Sequence, residues 1–268
     1  MKNPDQIRSA VRIRYEGYAD KSKQSLTCCQ SGDDGTSCCG NKDYLFEDIS
    51  LAVGYSKGEI SSVPEGANMG LGCGNPQAIA SLKEGETVLD LGCGGGFDVF
   101  LAARQVGKTG KAIGVDMTPK MVSLARENAE KGNYRNTDFR LGEIEYLPVA
   151  DNTVDVIISN CVINLSPEKQ QVFNESFRVL KPGGRLAISD VVALQQLPEP
   201  LKNDLDLYGG CISGASTIVD IENMLQNAGF TEIRISIKEE SKKFIKDWTP
   251  VKNITEYVSS AIIEAIKP

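Results

Sequence analysis

Thr87-Val88-Leu89-Asp90-Leu91-Gly92-Cys93-Gly94-Gly95-Gly96-Phe97-Asp98 is an apolar, β-rich run that passes straight into a glycine loop and then into the start of a helix. Glycine is needed in such a loop because the backbone turns tightly and a ligand approaches it with no Cβ in the way. Roughly 20 residues later a second apolar run ends in Gly114-Val115-Asp116, which sets a carboxylate at a strand's C-terminal edge, where ribose hydroxyls can be held. The two features predict a nucleoside site on an α/β sheet, with a dinucleotide as the competing occupant.

Outward from this stretch, short β-rich runs alternate with helical ones. Strands are predicted at Thr87–Leu91, Ala112–Asp116, Phe139–Gly142, Val154–Asn160, Arg185–Val192, Ile233–Lys238 and Ser260–Ile266. Intervening helices are predicted at Pro119–Lys131, with Met121, Leu124 and Ala125 inward, and at Pro167–Leu180, with Ser166 as N-cap and Lys181-Pro182-Gly183-Gly184 as the stop. Such alternation means a mostly parallel sheet with helices on both faces. Toward the N-terminus, Pro4–Tyr18 reads as an amphipathic helix with Ile7, Val11, Tyr15 and Tyr18 on one face and Arg8, Arg12 and Arg14 on a solvated one. Ser22–Asn41 reads as a loop or mobile arm, and Ser56–Pro76 as irregular structure beside a cleft.

The 268 residues include 8 cysteines and no histidine, which excludes a histidine-based triad, metal ligand or proton shuttle. Hydrophobic residues at 41% and charged residues at 24% fit a folded globular chain. A formal charge of -7 argues against nucleic acid as a partner, because affinity for phosphate chains comes from excess Lys and Arg. No run approaches the roughly 18 apolar residues of a membrane span, and the polar start Met1-Lys2-Asn3-Pro4-Asp5 has no secretory apolar core, so a cytoplasmic location is expected without a membrane partner. In a reducing compartment, eight cysteines point to metal, metalloid or redox chemistry rather than structural disulfides.

Three details decide against a dinucleotide: Asp90 before the loop, Glu143-Ile144-Glu145-Tyr146-Leu147-Pro148 after the third strand, and the turn Leu180-Lys181-Pro182-Gly183-Gly184-Arg185-Leu186. Together they resemble the class I S-adenosylmethionine-dependent methyltransferases. The resemblance implies a Rossmann-like α/β methyltransferase domain over residues 70–268, preceded by a helix and cysteine-rich arm over 1–69, with a lid segment inserted at 194–216. It further implies S-adenosylmethionine as methyl donor, with Asp90, Gly92, Gly94 and Gly96 at the methionine end, Asp116 on the ribose, Met117, Ile144 and Glu145 at the adenine, and Asn160 beside them.

Most O- and N-methylations need a base to take a proton from the acceptor, and this chain has no histidine and no evident carboxylate pair for the task. Trivalent arsenic held by thiolates has a free lone pair and no proton to lose. Cys73 stands in the glycine-rich stretch before the nucleotide fold, Cys161 follows Asn160 at the end of the fourth strand, and Cys211 lies in the small-residue run Gly209-Gly210-Cys211-Ile212-Ser213-Gly214-Ala215. That run, with Asn68-Met69-Gly70-Leu71-Gly72-Cys73-Gly74-Asn75-Pro76 and Ser159-Asn160-Cys161-Val162-Ile163-Asn164-Leu165, resembles the signature segments of the microbial arsenite methyltransferases. The resemblance implies As(III) on Cys73, Cys161 and Cys211, arriving as arsenite or its thiol complexes, no catalytic metal, and a thiol reductant such as glutathione or thioredoxin. It also implies help from an N-terminal cysteine, Cys28 or Cys29, with Cys29 placed among the catalytic residues; the pairs Cys28-Cys29 and Cys38-Cys39 leave the choice open. Cys93 reads as packing inside the cofactor loop. Two rivals remain at this point: a methyltransferase for carbon or oxygen acceptors of quinone or sterol type, and a thiol-rich protein that sequesters a metalloid or zinc.

Overall fold

The computed structural model describes residues 3–27, 42–202, 204–249, 251 and 253–268; Cys28, Cys29, Cys38 and Cys39 lie outside the described residues. Helices α1 (Pro4–Thr27), α2 (Lys42–Ala52), α3 (Lys57–Ser61) and α4 (Gln77–Ala80) precede β1 (Thr87–Leu91), α5 (Phe97–Gln105), β2 (Lys111–Asp116), α6 (Pro119–Lys131), β3 (Thr137–Leu141) and β4 (Val154–Asn160). Then come α7 (Lys169–Val179), β5 (Leu180–Ala193), α8 (Glu199–Lys202), α9 (Leu205–Gly209), α10 (Ile218–Ala228), β6 (Thr231–Lys238), α11 (Lys242–Ile245) and β7 (Val258–Ile266).

The strands form one sheet in the order β3-β2-β1-β4-β5-β7-β6. β1 to β5 run parallel, and β7 inserts antiparallel between β5 and β6. This is the mostly parallel, doubly covered sheet that the alternation predicts. Neighbouring residues of β1 show why both faces are covered: Val88 packs with Ala112, Val156 and α5, whereas Leu89 packs with Ile157 and Phe173 of α7 on the other side. A strand buried on both faces must be apolar throughout, and after its first residue β1 is buried to its end. Strand order reverses between β2-β1 and β1-β4, so the sheet splays a crevice at the C-terminal ends of these strands.

Four local expectations change. The N-terminal helix runs on to Thr27, so 22–27 is helical rather than loop. Arg8 is not on a solvated face: its side chain is 11% exposed and pairs with Glu143, Glu145 and Glu168. α7 begins at Lys169 with Glu168 as N-cap; Ser166 stands two residues earlier, where its hydroxyl accepts from Glu168 N–H at 3.0 Å and donates to Glu145 at 2.6 Å. The Lys181–Gly184 stretch does stop α7, yet it is already part of β5: Gly183 N–H donates to Lys267 O, and Lys267 N–H returns to Gly184 O. Ser56–Pro76 is irregular apart from α3, which Ser56 and Glu59 close with a reciprocal capping box.

Candidate active site

The crevice is a cleft whose wall includes the glycine loop, the ends of β1, β2 and β4, and α1. After β1, the N–H groups of Gly92 and Cys93 both donate to Val115 O, which pins the loop against β2. Gly92 has φ +70, and a Cβ there would stand 2.5 Å from Val162. Gly94, at φ +50, has open space where its side chain would be, and its N–H donates to Asp116 Oδ2 at 3.0 Å. The other oxygen of Asp116 accepts from Thr118 N–H at 2.8 Å. Asp116 thus sits at the end of β2 with lone pairs still available to hydroxyl donors.

Three carboxylates are buried around this loop: Asp90, Asp98 and Asp116. Burial raises all three, most firmly Asp90, where Asp98 and Asp116 add repulsion. Asp98 is pushed up to about 6 by burial against the opposing pull of donors on Tyr55, Asn160 and Gln77. The Asp90 carboxylate lines the cleft and accepts no side-chain or backbone hydrogen bond among the described residues. A buried anion without a donor is unfavourable until a ligand supplies one, so the cleft calls for positive charge and hydrogen-bond donors. No carboxylate pair was evident as a base in the sequence; the raised pKa values of these three come from burial, which is a property of the fold. Met117 and Ile144 line the same cleft with Glu145, whose carboxylate is held by Ser166 and Arg8.

Cys73 and Cys161 are joined as a disulfide, with Cα atoms 5.8 Å apart. With Asp190 they form, among the described residues, a group of candidate ligand atoms all within 4.8 Å of one another. Cys211 is outside that group: its thiol donates to Cys161 O at 2.8 Å. So the structure joins two of the three expected ligands by sulfur and brings the third alongside. Cys161 and Cys211 both occupy the left-handed region, at φ 60 and 62, which costs a residue with a Cβ about 1–2 kcal/mol. Burial, with Asp190 adding to it, pushes the Cys211 thiol well up, while Arg14 and Lys169 pull the other way. Cys93 is buried with the α5 cluster and lies against Gly114, where a Cβ would meet its sulfur at 2.7 Å.

Several residues at this site are invisible to motif reading. Asp190 accepts from the N–H groups of Ile163 and Val191 and from Asn164 Nδ2, and so fixes the turn that follows Cys161. Burial pushes it up to about 6. Tyr55 reaches Asp98 from 43 residues away, and Arg8 reaches Glu145 from 137 away; no local spacing marks such pairs. Asp98 closes the opening motif, and its burial was the missing signal.

A family model described as a methyltransferase domain matches residues 82–229. An arsenite methyltransferase of Halobacterium salinarum is 50% identical over 273 aligned residues, which take in 100% of this chain and 68% of that protein. An arsenite methyltransferase of Aquipseudomonas alcaligenes is 42% identical over 196, covering 70% of this chain and 56% of the relative. Among solved structures, CrArsM, an arsenic(III) S-adenosylmethionine methyltransferase from Chlamydomonas reinhardtii, superposes with a TM-score of 0.62 at 33% identity, covering 82% of this chain and 73% of that one.

Proposed function

Since the chain belongs to the arsenite methyltransferase family, we propose that it transfers methyl groups from S-adenosylmethionine to As(III) held by Cys73, Cys161 and Cys211. The observation that carries this reading is the placement of Cys161, a proposed metalloid ligand, on the wall of the same cleft as the glycine loop, Asp90 and Asp116. Bound S-adenosylmethionine supplies a methyl group on a cationic sulfur and is released as S-adenosylhomocysteine. The donor-free Asp90 carboxylate suits its ammonium group, Asp116 suits the ribose hydroxyls, and Met117 with Ile144 suits the adenine face. Glu145, tied to Arg8 and Ser166, shapes that end of the cleft.

Thiolates present the metalloid with its lone pair free, so no base is needed at the acceptor, which fits a chain without histidine. The lone pair forms the As–C bond as the S–CH3 bond breaks, and arsenic passes formally from III to V. Two electrons from a thiolate pair return it to III and leave a disulfide. Cys73 and Cys161 are the pair so placed, with an external dithiol such as thioredoxin, in a reducing compartment such as the cytoplasm, restoring them. Cys211 completes the ligand set when its thiol swings off Cys161 O, and 194–216 acts as the lid that carries it. Cys28 or Cys29 serves in ligand exchange.

A quinone- or sterol-type acceptor would leave these buried thiols at the cleft without a task. Incubating reduced protein with arsenite, methyl-labelled S-adenosylmethionine and a dithiol is expected to give labelled methylarsenicals, resolved by chromatography. Cofactor binding with no labelled arsenical would overturn the reading.

A further inference from the structure

Three side chains from separate parts of the chain close a short relay between the cofactor cleft and the Cys73 loop. The Tyr55 hydroxyl, between α2 and α3, lies 2.8 and 2.9 Å from the two oxygens of Asp98 and donates its proton there. It accepts in turn from Asn160 Nδ2 at 2.9 Å. The Asn160 amide then holds the backbone on both sides of the Cys73–Gly74 step: Nδ2 donates to Gly74 O at 2.8 Å, and Oδ1 accepts from Cys73 N–H at 2.9 Å. The packing leaves no slack, since a Cβ at Gly72 would stand 2.5 Å from Asn160 Nδ2. Gln77, four residues beyond Cys73, ties back to Asp98 O at 2.9 Å.

Asp98 opens α5 directly behind the glycine loop and lines the cleft, as do Tyr55 and Asn160. Cys73 itself is fully buried beside Cys161 and Asp190. A ligand that orders Asp98 therefore also orders Asn160 and, through two hydrogen bonds, the backbone that carries Cys73. Resting on the reading above that the cleft takes S-adenosylmethionine and Cys73 takes As(III), we infer that Asp98, Tyr55 and Asn160 couple the two sites, with Tyr55 the positioning residue, so that filling one raises affinity at the other. The second ligand meets a site whose ordering is already done, and the effect is the same size in either direction. Tyrosine fits the middle position because one hydroxyl donates and accepts at once. Phenylalanine would leave Asn160 and Asp98 joined only by the long direct bond that Asn160 Nδ2 donates to Asp98 Oδ2 at 3.4 Å, in place of two bonds of 2.8–2.9 Å through the hydroxyl.

The test is calorimetric titration of the full chain, reduced with a phosphine, with S-adenosylhomocysteine in the absence and presence of saturating arsenite. Arsenite is expected to tighten S-adenosylhomocysteine by about fivefold or more. In Tyr55→Phe, whose ring keeps its edge-on contact with Phe97, the ratio falls to half the wild-type value or less while both ligands still bind singly. Asn160→Ser removes both the link through Tyr55 and the direct one to Asp98, and brings the ratio to near one. Tyr134→Phe, which removes a hydroxyl bound to Ser62 O, keeps the wild-type ratio. A wild-type ratio of one, or a ratio unchanged in Tyr55→Phe, overturns the inference; failure of reduced wild type to bind arsenite at all overturns the functional reading beneath it.

Discussion

At Asp98 the folded chain keeps a proton up to about pH 6 that an unfolded chain gives up near pH 4. Unfolding in that window releases the proton, so this group's contribution to stability falls as pH rises from about 4 to about 6. Asp98→Asn removes that contribution, and the difference between mutant and wild-type melting temperatures should change through that interval and level off above it. A flat difference across pH 4–7 would contradict the assignment. Occupation by a cation favours the ionised carboxylate, so cofactor affinity should rise as pH passes upward through about 6, and calorimetry at pH 5 and 7.5 checks it. Cys161→Ser is expected to lower arsenite methylation by about 100-fold or more, with S-adenosylhomocysteine affinity within about threefold of wild type; full turnover by this variant would remove Cys161 from the ligand set. The strand-end position of Cys161 was legible in the sequence. Its left-handed backbone and its neighbour Asp190, 29 residues on, were not, because both arise from contacts that only the folded sheet creates.

Among the elements, the sheet was the most legible part: β1 and β4 have the bounds that their apolar runs predict, since a strand buried on both faces leaves a continuous signature. α1 was the least legible. Its arginines resemble any solvated stripe, yet Arg8 folds back on Glu143, Glu145 and Glu168 and roofs the cleft. Arg8→Ala leaves the buried Glu145 without its counter-charge, and a loss of about 1–3 kcal/mol is expected in denaturant unfolding, with weaker cofactor binding; unchanged values of both would mean that α1 is only apposed. The segment after α9 is fixed by a closer contact. A Cβ at Gly214 would stand 2.0 Å from Asn164 O, so Gly214→Ala must push the Cys211 run away from the Cys161 turn. The expected outcome is weakened arsenite binding with S-adenosylhomocysteine binding retained, read by titrating each ligand separately.

For the molecule as a whole, the proposed function makes redox state decide which ligand it can take. With Cys73 and Cys161 joined, the cleft is intact and two of the three proposed metalloid ligands are tied to each other. Oxidised protein should therefore be stabilised by S-adenosylhomocysteine, by about 2.7 kcal/mol at a hundredfold excess over Kd, with a matching rise in melting temperature, and gain nothing with arsenite, whereas reduced protein should respond to both. An arsenite response in oxidised protein would refute this. The left-handed geometry of Cys161 and Cys211 carries a consequence for heat tolerance. Glycine adopts φ near +60 without the Cβ penalty, so a chain with glycine at either position would be relieved of strain yet stripped of a thiol. On the proposed reading the two properties therefore oppose each other: glycine at either position should raise the melting temperature and weaken arsenite binding together.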